Sequence, residues 1–177
     1  MNEQKNIEEI IARVVRETKA AKNAPVSAPA AGKPSAGGAP AKLTLAIANE
    51  LIAKVSEKAK SMNARVVAAV VDAGGNPIAI QRMDDAYIAS YDIALNKAYT
   101  SVSLKMSTKT LATLAGPGGS LYGIQYTNSG RIVIFGGGVP LRSKGEIIGG
   151  FGVSGGSARE DTELGDYAEA VFRTLVP

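Results

Sequence analysis

Residues 65–82 read RVVAAVVDAGGNPIAIQR. Arg65–Asp72 is a β-rich apolar run, Ala73-Gly74-Gly75-Asn76 breaks it with turn-forming residues, and Pro77–Arg82 returns as a second strand. Two strands joined by so short a break must pair as an antiparallel hairpin, because a parallel crossover needs a dozen or more residues. Upstream, Thr44 can cap a helix in which Ile47, Ala48, Leu51, Ile52, Val55, Ala59 and Met62 share one face. Downstream, Asp84 or Asp85 is expected to cap a long helix from Ala86 through Leu104, with Ile88, Tyr91, Ile93 or Ala94, Leu95, Ala98 and Val102 facing the core. A shorter helix over 108–114 should end at Gly116-Pro117-Gly118-Gly119. Three further strands are expected at Ile132–Phe135, Val139–Ser143 and Glu146–Val153, the last two joined at Ser143-Lys144-Gly145. A final helix runs from Ala158 to Leu175, with Ser157 and Glu160 forming a capping box. The order α-β-β-α-α-β-β-β-α predicts an α+β fold, an antiparallel sheet of about five strands with helices packed on it, rather than a doubly wound parallel sheet.

Two segments precede this body. Over residues 1–20, Ile7, Ile10, Ile11, Val14 and Val15 fall at helical spacing and form one apolar stripe, so the spacing predicts an amphipathic docking helix. β-branched residues dominate the stripe, which leaves intrinsic helicity modest until the stripe is buried. Residues 21–42 are rich in Ala, Pro and Gly, with Pro25, Pro29, Pro34 and Pro40 opposing helix, and read as a flexible linker. The body then spans residues 43–177. The stripe could fold onto its own body or pair with a second copy, and the long tether suits a partner at a distance equally well.

Composition removes several chemistries. The chain has no Cys and no His, so thiolate sites, disulfides, serine–histidine triads and imidazole-ligated metals are all excluded. The absence of cysteine fits a reducing, cytoplasmic setting. No apolar run is long enough to span a membrane, and the N-terminus reads neither as a secretory signal nor, with Glu3, Glu8, Glu9 and Glu17, as a transit peptide. The formal charge is +4, yet residues 1–19 are neutral and residues 20–42 carry three uncompensated lysines, which leaves the body near +1. That is no field for nucleic acid.

Candidate site residues have structural readings beside the functional ones. Gly150-Phe151-Gly152-Val153-Ser154-Gly155 matches G-x-G-x-x-G, but no second parallel strand follows the last helix, so a dinucleotide fold is not indicated. Gly136-Gly137-Gly138, Gly149-Gly150 and Gly155-Gly156 answer either to bulges and close helix approach or to a backbone-lined cleft for a flat or anionic ligand. Asp72 reads first as a turn acid, Asp84-Asp85 and Glu160-Asp161 as helix-start acids, and Lys97 as a solvated lysine. Tyr87, Tyr91, Met83 and Met106 read first as core residues. An enzyme acting on a small molecule through Asp72, Lys97 and Tyr99 remains an alternative, which requires those groups to converge. A ligand-free scaffold is the other alternative.

Val70-Val71-Asp72-Ala73-Gly74-Gly75, Arg82-Met83-Asp84, Asp92-Ile93-Ala94 with Lys97-Ala98-Tyr99-Thr100, Gly136-Gly137-Gly138-Val139-Pro140-Leu141 and Gly152-Val153-Ser154-Gly155-Gly156 follow one another across the body. In these motifs the chain resembles the GlcG/HbpS-like family, which includes the C-terminal domain of PduO-type proteins. The resemblance implies a homo-oligomer that binds haem or a related tetrapyrrole, a flavin being the weaker candidate, at Asp72, Gly75, Asn76, Met83, Lys97, Tyr99, Gly137, Gly138, Gly155 and Gly156. It implies no cobalamin adenosylation, since the adenosyltransferase domain of PduO-type proteins is absent. Many relatives carry histidine where this chain has Asn76, so iron would need Met83, Met106, a tyrosine or a lysine. Ile7–Glu17 followed by its Ala/Pro/Gly linker resembles an encapsulation peptide of bacterial microcompartment cargo. That resemblance implies a cytoplasmic protein inside a microcompartment, docked to a shell protein or other cargo through residues 1–20.

Overall fold

The computed structural model describes residues 40–176. The expected docking helix (Ile7, Ile10, Ile11, Val14 and Val15) and most of the linker lie outside them. Chain order is α1 (Leu45–Ser61), β1 (Val67–Asp72), β2 (Pro77–Arg82), α2 (Ser90–Ser103), α3 (Thr108–Ala115), two short 3-10 turns (Ile124–Tyr126 and Asn128–Gly130), β3 (Gly138–Ser143), β4 (Glu146–Ser154) and α4 (Ala158–Leu175). The strands form one antiparallel sheet in the order β2-β1-β4-β3.

β1 is apolar from Val67 to Val71 because both its faces are covered. Val66, Ala68 and Val70 pack with Leu51 and Val55 of α1 and with Leu164 and Phe172 of α4. Val67, Ala69 and Val71 face α2 through Ala94, Ala98 and Val102. The sheet is therefore the middle of three layers, and each fully buried Leu, Val or Phe contributes roughly 1.5–3 kcal/mol. β4 alternates differently. Its Phe151 and Val153 join the α1/α4 core, whereas Gly150 and Gly152 lie under α2. A Cβ on Gly152 would collide with the Ala94 carbonyl and sit 2.5 Å from the Ala98 nitrogen. The glycines in that strand let a helix backbone rest on the sheet.

The helix ends follow their caps. Thr44 accepts the Ile47 N–H at the start of α1, and Ser107 accepts that of Thr110 at the start of α3. Ser157 and Glu160 complete a reciprocal capping box on α4. Ala41 is already attached to the body, its N–H donating to Ser143 Oγ at 3.2 Å.

Two expectations are corrected. The sheet has four strands, because Ile132–Phe135 is not one of them. That segment packs against α2 and α3 instead: Val133 N–H donates to Thr100 Oγ1 and Ile132 is buried with Leu111 and Ala115. The long helix begins at Ser90 and not Ala86, and neither Asp84 nor Asp85 caps it. Asp85 has a φ of +62°, which breaks the helical run, and residues 83–91 follow as successive turns. Ile88, 84% exposed, and Tyr91, 47% exposed, therefore lie outside the core. Tyr87 is exposed as well.

Candidate functional site

The ten residues singled out in the sequence fall in three places. Asp72, Gly75, Asn76 and Tyr99 meet at the β1–β2 turn. Asp72 Oδ1 accepts the N–H groups of Gly74 (2.8 Å) and Asn76 (2.9 Å), and the Asn76 amide donates to both carboxylate oxygens. These bonds, led by the one from the Asn76 side chain, hold the Asp72 carboxyl below its ordinary pKa. Gly75 is buried under the Tyr99 ring, where a Cβ would lie 2.9 Å from Cδ2. Arg131 stacks on the same ring at 3.6 Å. Hydrogen bonds with Ser103 and Asn128, assisted by the Arg131 charge, lower the phenol's pKa. Asp72 thus acts as the expected turn acid, with its carboxylate committed to its own loop.

Lys97 is no solvated lysine. Its side chain is fully buried and donates from Nζ to Asp161 Oδ2 at 2.7 Å and to the Val153 carbonyl at 2.9 Å. The ammonium also lies 4.7 Å from the Phe135 ring centre. Asp161, expected as a helix-start acid, points inward and takes the Gly156 N–H on its other oxygen. Burial lowers the pKa of Lys97 and raises that of Asp161, in each case against the pull of the partner's charge. Gly137, at φ +115°, admits this pair, since a Cβ there would stand 2.9 Å from Lys97 Nζ and 2.7 Å from the Val153 carbonyl. Gly138 is closed against the Lys97 backbone in the same way. Neither glycine lines a cleft, and Lys97, Asp72 and Tyr99 do not converge on one.

Gly155, Gly156 and Met83 do line clefts, although the two glycines answer to packing: a Cβ on Gly155 would collide with the Arg65 carbonyl and one on Gly156 would lie 2.9 Å from Glu160 Cβ. A cleft of 300 Å³ is lined by Tyr87, Ile93, Phe135, Gly155, Gly156 and Ala158, with the buried pair beneath it at Asp161. It adjoins a second cleft of 470 Å³ that shares Tyr87, Gly155 and Gly156 and adds Asn63, Arg65 and Asp85. A third, of 610 Å³, shares Asn63, Arg65 and Asp85 and reaches Lys60, Arg82 and Met83. All three lie along one rim of the sheet, where β4 and β2 end and β1 begins. The first turn of α4 is not itself an open anion site, because Glu160 and Asp161 already take the Ser157 and Gly156 amides. Tyr87, Phe135, Arg65 and Asp161 were not legible as site residues, although Lys97 at helical spacing from the buried Ala94 and Ser101 shows it to be on the buried face of α2.

A family model described as haem degrading protein HbpS-like matches residues 43–169. The chain belongs to the HbpS-like family. Its HbpS-like body is 48% identical, over 135 residues, to an uncharacterized 15.0 kDa protein of Citrobacter freundii encoded in the dhaT–dhaS intergenic region, covering 76% of this chain and 95% of that protein. Corrinoid adenosyltransferase PduO of Salmonella typhimurium is 37% identical over 124 residues, which are 70% of this chain but only 37% of the adenosyltransferase. The crystal structure of a PduOC–haem complex superposes with a TM-score of 0.70 at 36% identity, covering 73% of this chain and 94% of that one. The HbpS-like fold is thereby established. Among the described residues no helix is long and apolar enough to cross a membrane, and no group of three or more carboxylate, His or Cys side chains is placed to hold a metal ion.

Proposed function

We propose that this protein is an accessory binder of a planar, tetrapyrrole-like cofactor, carried as homo-oligomeric cargo inside a bacterial microcompartment. The observation that carries the reading is the aromatic-walled cleft between Tyr87 and Phe135 in a fold shared with a haem complex. The residues present fit such a group. Ile93 and Phe135 offer apolar surface, and Tyr87 would supply an oxygen donor in place of the missing imidazole. Lys97 is withdrawn from ligation by its buried pair, and Met106 is packed against the Leu111 cluster. Tyr87, or Met83 one cleft away, would hold the iron. Haem would bring redox-active iron to this rim, while the protein's part is to bind, orient and shield it.

The microcompartment half rests on the apolar stripe and tether of residues 1–42. Native mass spectrometry of the full chain purified from its host, with and without added ferric protoporphyrin IX, tests the binding half. A stoichiometric porphyrin mass with a Soret band altered by Tyr87→Phe is expected. Absence of any retained porphyrin would overturn it.

A further inference from the structure

The two edges of the sheet differ in what they can still bond. At β3, Val153 N–H donates to the Gly137 carbonyl at 3.0 Å, so alternate residues from Gly137 face β4, and Gly138 and Pro140 face outward. The Gly138 N–H is taken by the buried Thr108 Oγ1 at 2.9 Å, and Pro140 has no N–H to offer. From Gly138 to Leu141 that edge is closed. At β2 the phase is fixed by Met83 N–H, which donates to the Val66 carbonyl at 3.0 Å. The pairs Ala68–Gln81 and Val70–Ala79 therefore exchange bonds, while Ile80 and Arg82 turn their N–H and C=O groups away from β1. Among the described residues no other backbone group meets them, and Gln81 and Arg82 are exposed. Pro77 and the register shift between Val70 and Val71 confine this open stretch to the C-terminal half of the strand. An edge with free donors and acceptors is a template for another strand.

We infer that β2 pairs with β2 of a second copy of this chain, joining the two sheets into one about a two-fold axis at Gln81. This rests on the homo-oligomer proposed above and names its interface. The occupant follows from what each edge can give. β3 of a second copy has no donor for the Ile80 and Arg82 carbonyls, so head-to-tail pairing, which would propagate as a filament, fails. The linker's Pro25, Pro29 and Pro34 interrupt any ladder that it could form. β2 matches itself. Antiparallel to its copy, Ile80 lies opposite Arg82 of the second copy, and each open N–H meets an open carbonyl. Gln81 then faces Gln81 of the second copy across the axis, as a pair without backbone bonds between its members. Such a contact uses the same patch on both copies and closes on itself.

The chain has no cysteine, so one introduced thiol reports the contact directly. Facing residues of an antiparallel pair without backbone bonds bring their Cβ atoms near disulfide distance. Mild oxidation of the full-length Gln81→Cys protein should give a covalent dimer about a hundredfold faster than Thr113→Cys, which is equally exposed but on α3; that is the advantage of thiols held together over thiols that collide. Arg82→Pro removes an outward donor that β1 does not use, so circular dichroism should match the parent. Native mass should fall about twofold, as it does when a two-fold contact is lost. An oligomer in which Gln81→Cys oxidises no faster than Thr113→Cys, or whose mass survives Arg82→Pro, overturns the inference while the homo-oligomer reading stands. A parent chain that is monomeric at every concentration overturns both. Hydrogen-exchange protection of Ile80 and Arg82 by a different protein, with Gln81→Cys uncrosslinked, assigns the edge to that partner and likewise overturns the inference.

Discussion

Lys97 Nζ lies 2.7 Å from Asp161 Oδ2 with both side chains buried, and this contact ties the middle of α2 to the first turn of α4 across the end of β4. The clamp also fixes the rim at Gly156, because Asp161 holds the Gly156 amide.

Removing one member should therefore cost far more than removing both. Lys97→Met leaves Asp161 buried without its counter-charge and should destabilise the body by about 3–5 kcal/mol. Lys97→Met with Asp161→Asn keeps an acceptor for Gly156 and no isolated charge, so it should recover most of that loss. Urea denaturation of the three proteins decides it. A single variant as stable as the parent would show that the pair is not the clamp described.

The close approach of α2 to β4 makes a second expectation quantitative. Gly152→Ala places a methyl against the Ala94 carbonyl and the Ala98 nitrogen, both backbone atoms that cannot rotate away. The helix must lift, at a cost of about 3 kcal/mol for an overpacked contact. Gly116→Ala, where the nearest atom is 3.6 Å away and φ is −68°, should be neutral or slightly stabilising. Equal melting temperatures for the two variants would contradict this packing.

Local chemistry made most of the fold legible in the sequence. The Gly74-Gly75-Asn76 break, the Lys144-Gly145 turn and the Ser157/Glu160 box each act within a few residues, and each appears where the pattern places it. Ile132–Phe135 has strand composition but becomes a cover for α2 and α3, because a hydroxyl on another element, Thr100, takes its backbone N–H. The same limit hid the site. Lys97 and Asp161 are 64 residues apart, and the charge of each looks solvated until the other is placed beside it. Tyr87 and Phe135 likewise look like core residues until the turn at Asp85 leaves Tyr87 on the rim.

The Asp72 turn gives a pH dependence with a definite sign. Its folded carboxyl is held below its ordinary pKa of 3.8, chiefly by the Asn76 side chain. A depressed folded value stabilises the protein above the unfolded pKa, and that contribution is lost as pH falls through the folded value. The stability gap between the parent and Asp72→Asn should therefore be constant near neutrality and shrink below about pH 4. Denaturation midpoints at pH 6 and pH 3 measure it. A gap that stays the same at both would mean the carboxylate charge contributes nothing to the turn.

The address function attributed to residues 1–22 can be separated from anything the body does. An apolar stripe of Ile7, Ile10, Ile11, Val14 and Val15 binds by burial in a partner's groove, so it should work on any passenger and fail when the stripe is charged. Fusing residues 1–22 to a fluorescent reporter in shell-producing cells should give punctate fluorescence that co-purifies with shells. Ile10→Glu with Val14→Glu places two charges in the middle of the stripe and should return the reporter to the cytosol, because each would have to be desolvated in an apolar groove. Body variants at Arg65 or Tyr87 should leave the puncta of the full chain unchanged. Diffuse fluorescence from the unmodified fusion, or puncta that persist with both glutamates present, would refute the stripe as the address, whatever the rim binds.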